Sequence, residues 1–334
     1  MTSRAGTLVY RYGLLALLLA FIVYFSLTQP AFATWRNVLV IGQSVAITAI
    51  VALGVTISLT VDGFDLSIGS TMSFVVMLTS AVQVYFGLPA IVAILVGLAA
   101  GILVGLLNGV LIVHAHIPDL LATLGTMFVF AGLALVITGG QSVSTGATFL
   151  GQPTTGSISP GFLWLGRGTI LGVPVPVVLA LVLGVVVSVF LARSRTGRVL
   201  AAIGGNAEAA RLAGAGVGRL KMLAYVLSGL LASVGGILLT ARLGRGDVGA
   251  GGDYLLETVA AALIGFAVLG ANRPNGFGTL VGAVFVGVLL NGLTMQNVPY
   301  YTQDLIKGAL LVGALVLSFS TVFRKTGISK KERA

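Results

Sequence analysis

The run AIVAILVGLAAGILVGLLNGVLIV, residues 90–113, contains no ionisable side chain. A span needs roughly 20 apolar residues, and in hydrocarbon a helix satisfies its own backbone N–H and C=O groups. Similar stretches recur along the chain. Together they give ten predicted spans at about 13–31, 38–60, 66–86, 90–114, 119–138, 173–192, 222–241, 255–271, 276–293 and 304–322. The stretches are continuous and do not alternate, which excludes a transmembrane β-barrel. Charged residues make up only 8% of the chain against 57% hydrophobic, too few to cover a soluble fold. The 47 glycines suit helices that approach closely within a bilayer. The expected fold is an all-α polytopic membrane protein.

The cations set the orientation. With both termini inside, the inner segments hold fourteen of the nineteen Lys and Arg residues: Arg4, Arg11, Arg193, Arg195, Arg198, Arg211, Arg219, Lys221, Arg273 and five in the tail from Arg324 to Arg333. Arg36, Arg167, Arg242 and Arg245 fall outside, and Lys307 just inside the last span. The net charge of +10 therefore reads as positive-inside bias, with membrane lipid as the surrounding partner and no nucleic acid. The expected organisation is a cytoplasmic N-terminus (1–12), a membrane domain (13–322) and a cytoplasmic tail (323–334). Arg4 and Arg11, the apolar run 13–26 and Ala31-Phe32-Ala33 imitate a cleavable signal peptide. The short, nearly charge-free link to the next span favours retention as a helix.

VGLLNGVLIV (104–113) and GVLLNGLTM (287–295) echo one another. In this topology the first closes a helix heading inward and the second one heading outward. Halves related in that way, about 38–138 and 222–322, place a pathway at their interface near mid-membrane. Asn108 and Asn291 are the amides of the repeat, either interhelical glue or ligand contacts. VDGFDLSIGS (61–70) sets Asp62 and Asp65 between apolar runs, where an Asp at a span centre costs about 2.5–3.5 kcal/mol. Gly63 and Gly69 permit a break, and Ser67 could cap a new helix. One reading is a broken helix at the pathway or inner gate, the other an ordinary turn with Asp65 as N-cap of the third span.

The long outer segment 139–172 is rich in Gly, Ser, Thr and Pro and reads as irregular, with Trp164 as interfacial anchor. ARLGRGDVGAGGDYLLE (241–257) offers Arg242, Arg245, Asp247 and Asp253 as a solvated loop or as a surface for an external donor protein. Glu257 enters the membrane, where it needs a partner. His114 and His116 fall at an inner helix end, where a cation suits the negative pole; a proton relay is the rival reading. The chain has no cysteine, no metal-site spacing, no nucleophile–base arrangement and no phosphate-cradling Gly-x-x-x-x-Gly-Lys-Ser/Thr. No catalytic residue, cofactor or metal is expected in the chain, which cannot hydrolyse ATP by itself.

The basic segment RSRTGRVLAAIGGNAEAARLAGAGVGRLK (193–221) interrupts the apolar runs on the inner side. GFDLSIGS, GGNAEAARLAGAGVGRLKMLAYVLSGLLASVGGIL, ARLGRGDVGAGGDYLLETVAAALIG and the later GAVFVGVLLNGL resemble, in order over most of 40–320, the permease subunits of bacterial ABC importers of the ribose/xylose/arabinose type. The resemblance implies a ten-helix inner-membrane permease. Its implied companions are two ATPase subunits that bind ATP and Mg, a second permease copy or paralogue, and a periplasmic sugar-binding protein. It also implies that the 194–221 loop couples to the ATPase, with Gly205, Asn206, Glu208, Ala209, Ala210, Arg211 and Gly214 in that role. Small residues there make a low-profile helix that fits a groove, and arginines fix it by charge. GANRPNGFGT departs from the family's usual Gly-Gly-rich turn, so the substrate expectation stays at a monosaccharide or related polyol. Two other classes fit the composition: an ion-coupled secondary transporter using Asp65 or Glu257 without an ATPase, and a receptor-like scaffold.

Overall fold

The computed structural model describes residues 4–267 and 273–325. They form helices α1 (Arg4–Thr28), α2 (Trp35–Thr60), α3 (Ile68–Val84), α4 (Ala90–Val113), α5 (Asp119–Thr138), α6 (Pro160–Arg167), α7 (Val175–Arg193), α8 (Arg195–Gly205), α9 (Ala207–Leu212), α10 (Val217–Leu243), α11 (Tyr254–Ala267), α12 (Gly276–Met295) and α13 (Tyr300–Lys325). Among the described residues, α2, α4, α5, α7, α10 and α12 are long and apolar enough to cross a membrane, and Tyr12–Thr28, Ile68–Val84 and Tyr254–Phe266 are shorter apolar helices.

Burial sorts the helices. Within their apolar windows α2 is 61% and α10 67% buried, against 22% for α5 and 28% for α7. The first two therefore form the centre, and the others turn apolar faces outward. A run from Val45 to Ser58 of α2 is buried on every side, as expected of a helix surrounded by helices. α4 packs on α10 through glycines spaced by four, Gly97, Gly101, Gly105 and Gly109. A Cβ at Gly101 would run into the carbonyl oxygen of Gly229, and one at Gly105 into that of Tyr225. The backbone of α4 comes this close to α10 because its glycines present no side chain there. Hydroxyls join other helices: Thr56 of α2 and Thr279 of α12 lie 2.6 Å apart.

The segment 139–172 is more ordered than its composition indicated. It holds α6 and two small hairpins, β1 (Thr148–Phe149) with β2 (Gln152–Pro153) and β3 (Thr169–Ile170) with β4 (Val173–Pro174). Phe162 of α6 is fully buried while Trp164 is about half exposed. Arg167 donates to the carbonyls of Arg242 and Leu243 at 2.8 and 2.7 Å, which fastens the segment over the end of α10.

Candidate functional site

The chain breaks between α2 and α3. Asp62 adopts φ +58° there, and Gly63 is required because the Tyr225 hydroxyl occupies the place of a Cβ. Asp65 is 1% exposed. One of its oxygens accepts from the Ser67 N–H at 3.0 Å and from the Ser67 hydroxyl at 2.7 Å, the other from Ser228 of α10 at 2.7 Å. Asn108 of α4 donates to the Ser67 hydroxyl at 2.8 Å and accepts from Thr126 of α5 at 2.6 Å. Asp65 and Ser67 of the 61–70 motif and Asn108 of the repeat thus meet in one buried network across four elements. Asp65 is not the N-cap of α3. That position belongs to Ser67, which makes no side-chain bond to a helix amide: its backbone is helical at φ −75°, ψ −9°, and its hydroxyl donates to Asp65 and accepts from Asn108. Asp62 stands apart, lining a hollow of about 240 Å³ with Asp119, Lys221 and Tyr225. Asp119 instead holds the break from α5, accepting the Phe64 N–H at 2.6 Å.

At the opposite end of α2 lies a cavity of about 400 Å³ between α2, α11, α12 and α13. Its polar lining includes Thr48, Asp253, Glu257, Asn291, Gln303 and Lys307. Glu257 and Lys307 form an ion pair at 3.1 Å, their side chains 17% and 16% exposed. Thr48 donates to the second Glu257 oxygen at 3.4 Å. Lys307 is the partner that Glu257 needed. Asn291 is half-buried rather than buried like Asn108, and exchanges hydrogen bonds with Asn37 at 3.0 and 3.3 Å. Asn291 and Glu257 share this cavity; Asp65, Ser67 and Asn108 lie elsewhere. The four docking candidates also divide: Arg242 turns in to Ser44 at 3.0 Å, Arg245 pairs with Asp247 at 2.9 Å, and Asp253 lines the cavity.

The segment 194–221 is helical rather than a loop. The Ser194 hydroxyl caps α8 by accepting from Gly197 at 2.8 Å, and Asn206 caps α9 by accepting from Ala209 at 2.9 Å. Asn206 is extended between the two, so α8 and α9 meet at an elbow that Gly214, at φ +85°, turns back toward α10. Gly205, Asn206, Glu208, Ala209, Arg211 and Gly214 are exposed, while Ala210 is buried against the elbow. Arg211 and Glu208 pair at 2.6 Å. The guanidinium holds the Glu208 carboxyl below the usual carboxylate range, and the carboxylate raises Arg211 in turn. Leu212 was missed in the sequence: it is 77% exposed beside them, and a leucine within so polar a segment was the signal.

A protein family described as branched-chain amino acid transport system / permease component matches residues 37–315. The chain belongs to this family. Over 296 residues it is 36% identical to the ribose import permease protein RbsC of Bacillus subtilis (strain 168), covering 89% of this chain and 88% of the relative. The Escherichia coli (strain K12) ribose import permease protein RbsC is 34% identical, over 90% and 91% of the two chains. The xylose transport system permease protein XylH of the same strain is 31% identical, over 92% and 91%. No solved structure gave a significant match. The permease expected from the sequence is therefore what the chain is, a transport component rather than an enzyme. A component of a multi-part system also favours the driven permease over a carrier acting alone.

Proposed function

We propose that this permease component is the membrane subunit of an ATP-driven importer for a monosaccharide or related polyol. The observation that carries the reading is the α8–α9 elbow, which holds out Arg211, Leu212 and small residues on a chain with no nucleotide-binding loop. An apolar knob beside a charge pair is a surface built to be gripped. The sugar class rests on relatives named for ribose and xylose, and on a cavity whose amides, hydroxyls and ion pair match sugar hydroxyl groups.

In this reading ten helices cross the bacterial inner membrane as two inverted halves, 38–138 and 222–322, with both termini and the elbow cytoplasmic. The matched placement of Asn108 and Asn291 near the ends of α4 and α12, each bonded to a neighbouring helix, speaks for the repeat. ATPase subunits supplying ATP and Mg grip the elbow at Gly205, Asn206, Glu208, Ala209, Ala210, Arg211 and Gly214. A second permease copy or paralogue completes the path. A sugar-loaded periplasmic protein docks over Arg242, Arg245, Asp247 and Asp253. ATP binding favours one arrangement of the halves over the other, and that difference in affinity is what moves them. Glu257 and Asn291 face the solute, Asp62 lies at the inner mouth, and Asp65, Ser67 and Asn108 brace the break.

The test is uptake into proteoliposomes with ATPase and binding protein present, over a panel of pentoses, polyols and leucine. Sugar uptake that requires ATP and is lost in Arg211→Glu/Leu212→Ser is expected. Uptake by the chain alone on an ion gradient would overturn the proposal.

A further inference from the structure

A hollow of about 370 Å³ opens where α7 ends and α12 begins. Arg198 of α8 and Arg273 of the turn before α12 line it, with Ser188 among its polar groups and Leu191 and Phe277 among its apolar ones. Arg198 is fixed by donating to the carbonyl of Arg193 at 2.7 Å. Among the described residues neither arginine forms an ion pair. Two arginines lining one hollow make it electropositive, and the planar guanidinium fork fits phosphate oxygens.

The surroundings indicate what that anion is attached to. Phe277 is 57% exposed at the rim, and Val182, Val185, Val186 and Val189 of α7 present an outward apolar stripe, each more than half exposed. That stripe leads along the span to the hollow. A soluble anion or an acidic protein segment has no use for a hydrocarbon-facing track leading away from its binding site. A phospholipid has, and basic pockets between helices on the cytoplasmic side are where anionic headgroups bind.

We propose that this hollow is a headgroup site for an anionic phospholipid, with the phosphate held between Arg198 and Arg273 and an acyl chain along the valines of α7. The inner leaflet follows from the orientation proposed above; the site itself requires only that the ends of α7 and α12 lie at a membrane boundary.

The test is native mass spectrometry of the full chain in detergent, titrated with phosphatidylglycerol, phosphatidylcholine or inorganic phosphate. Selective retention of phosphatidylglycerol is expected. Affinity should fall roughly fivefold for Arg198→Gln or Arg273→Gln alone and roughly twenty-fivefold for both, while Arg195→Gln, outside the hollow, changes nothing. The charge-keeping pair Arg198→Lys/Arg273→Lys should recover most of the binding. Equal retention by the double glutamine variant, or phosphate binding as tight as phosphatidylglycerol, would overturn the assignment. A cysteine at Ala209 that labels from the outer face would correct the leaflet and the importer reading, yet leave the lipid titration as it stands.

Discussion

The ion pair between Glu257 and Lys307 separates two roles for the cavity between α2 and α11–α13, strut and solute contact. Both side chains are under one-fifth exposed and meet at 3.1 Å. Replacing Lys307 with Met leaves a mostly buried carboxylate without its cation, with the Thr48 hydroxyl at 3.4 Å as its remaining partner. Breaking a buried pair from one side costs about 3–5 kcal/mol. Glu257→Gln costs less, because Lys307 keeps Asp304 at 3.4 Å, although that carboxylate is 64% exposed and such pairs contribute little. The double variant Glu257→Gln/Lys307→Met strands no charge and should unfold near the wild type, as buried pairs replaced together often do. The coupling energy of the cycle is then at least about 3 kcal/mol, read from chemical unfolding of purified chain in detergent. If Lys307→Met unfolds within about 1 kcal/mol of wild type, the pair is wet and the reasoning fails. Uptake decides the rest. A stable double variant with raised KM puts the pair against the solute, whereas an unchanged KM makes it a strut.

Further outcomes follow from the same contacts. Asp65→Ala strands the Ser67 N–H and two hydroxyls, so unfolding should be easier by on the order of 3 kcal/mol, taking about 1 kcal/mol per hydrogen bond; an unchanged midpoint would show the network to be solvated. Gly101→Ala presses a methyl on the Gly229 carbonyl and should cost about 1–3 kcal/mol, whereas Gly125→Ala on α5, which meets nothing within 4 Å, should be neutral or stabilising. Arg211→Glu and Leu212→Ser should each leave the unfolding midpoint unchanged while abolishing co-purification with the ATPase; retained co-purification would move the grip elsewhere.

The six long apolar helices were legible because an apolar run in hydrocarbon must satisfy its own backbone groups; the count of ten spans goes beyond them. Residues defined by remote contacts were not legible. Glu257 announced a missing partner, but Lys307 lies fifty residues on, and only the packing of α11 against α13 brings it there. Asp62 and Asp65 look equivalent on paper. One is exposed at positive φ and the other is sealed under α10, because the chain reverses between them. In 139–172 the Gly, Ser, Thr and Pro content concealed α6, whose burial hangs on Phe162 fitting beneath the end of α10.

Which polar residues change partners during transport follows from what lies beside them. The bonds of Asn37 to Asn291, Thr48 to Glu257 and Glu257 to Lys307 join α2 to α11–α13 around an open cavity. Under the proposed function each can be exchanged for a bond to a solute hydroxyl at little net cost, since an exchange leaves no buried group unpaired. The bonds of Asp65, Ser67, Asn108, Thr126 and Ser228 lie among buried side chains; parting them would strand a carboxylate and an amide with nothing to replace their partners. The α2–α3 break is therefore held more firmly than the contacts around the cavity, although in the core Thr56 and Thr279 also tie α2 to α12.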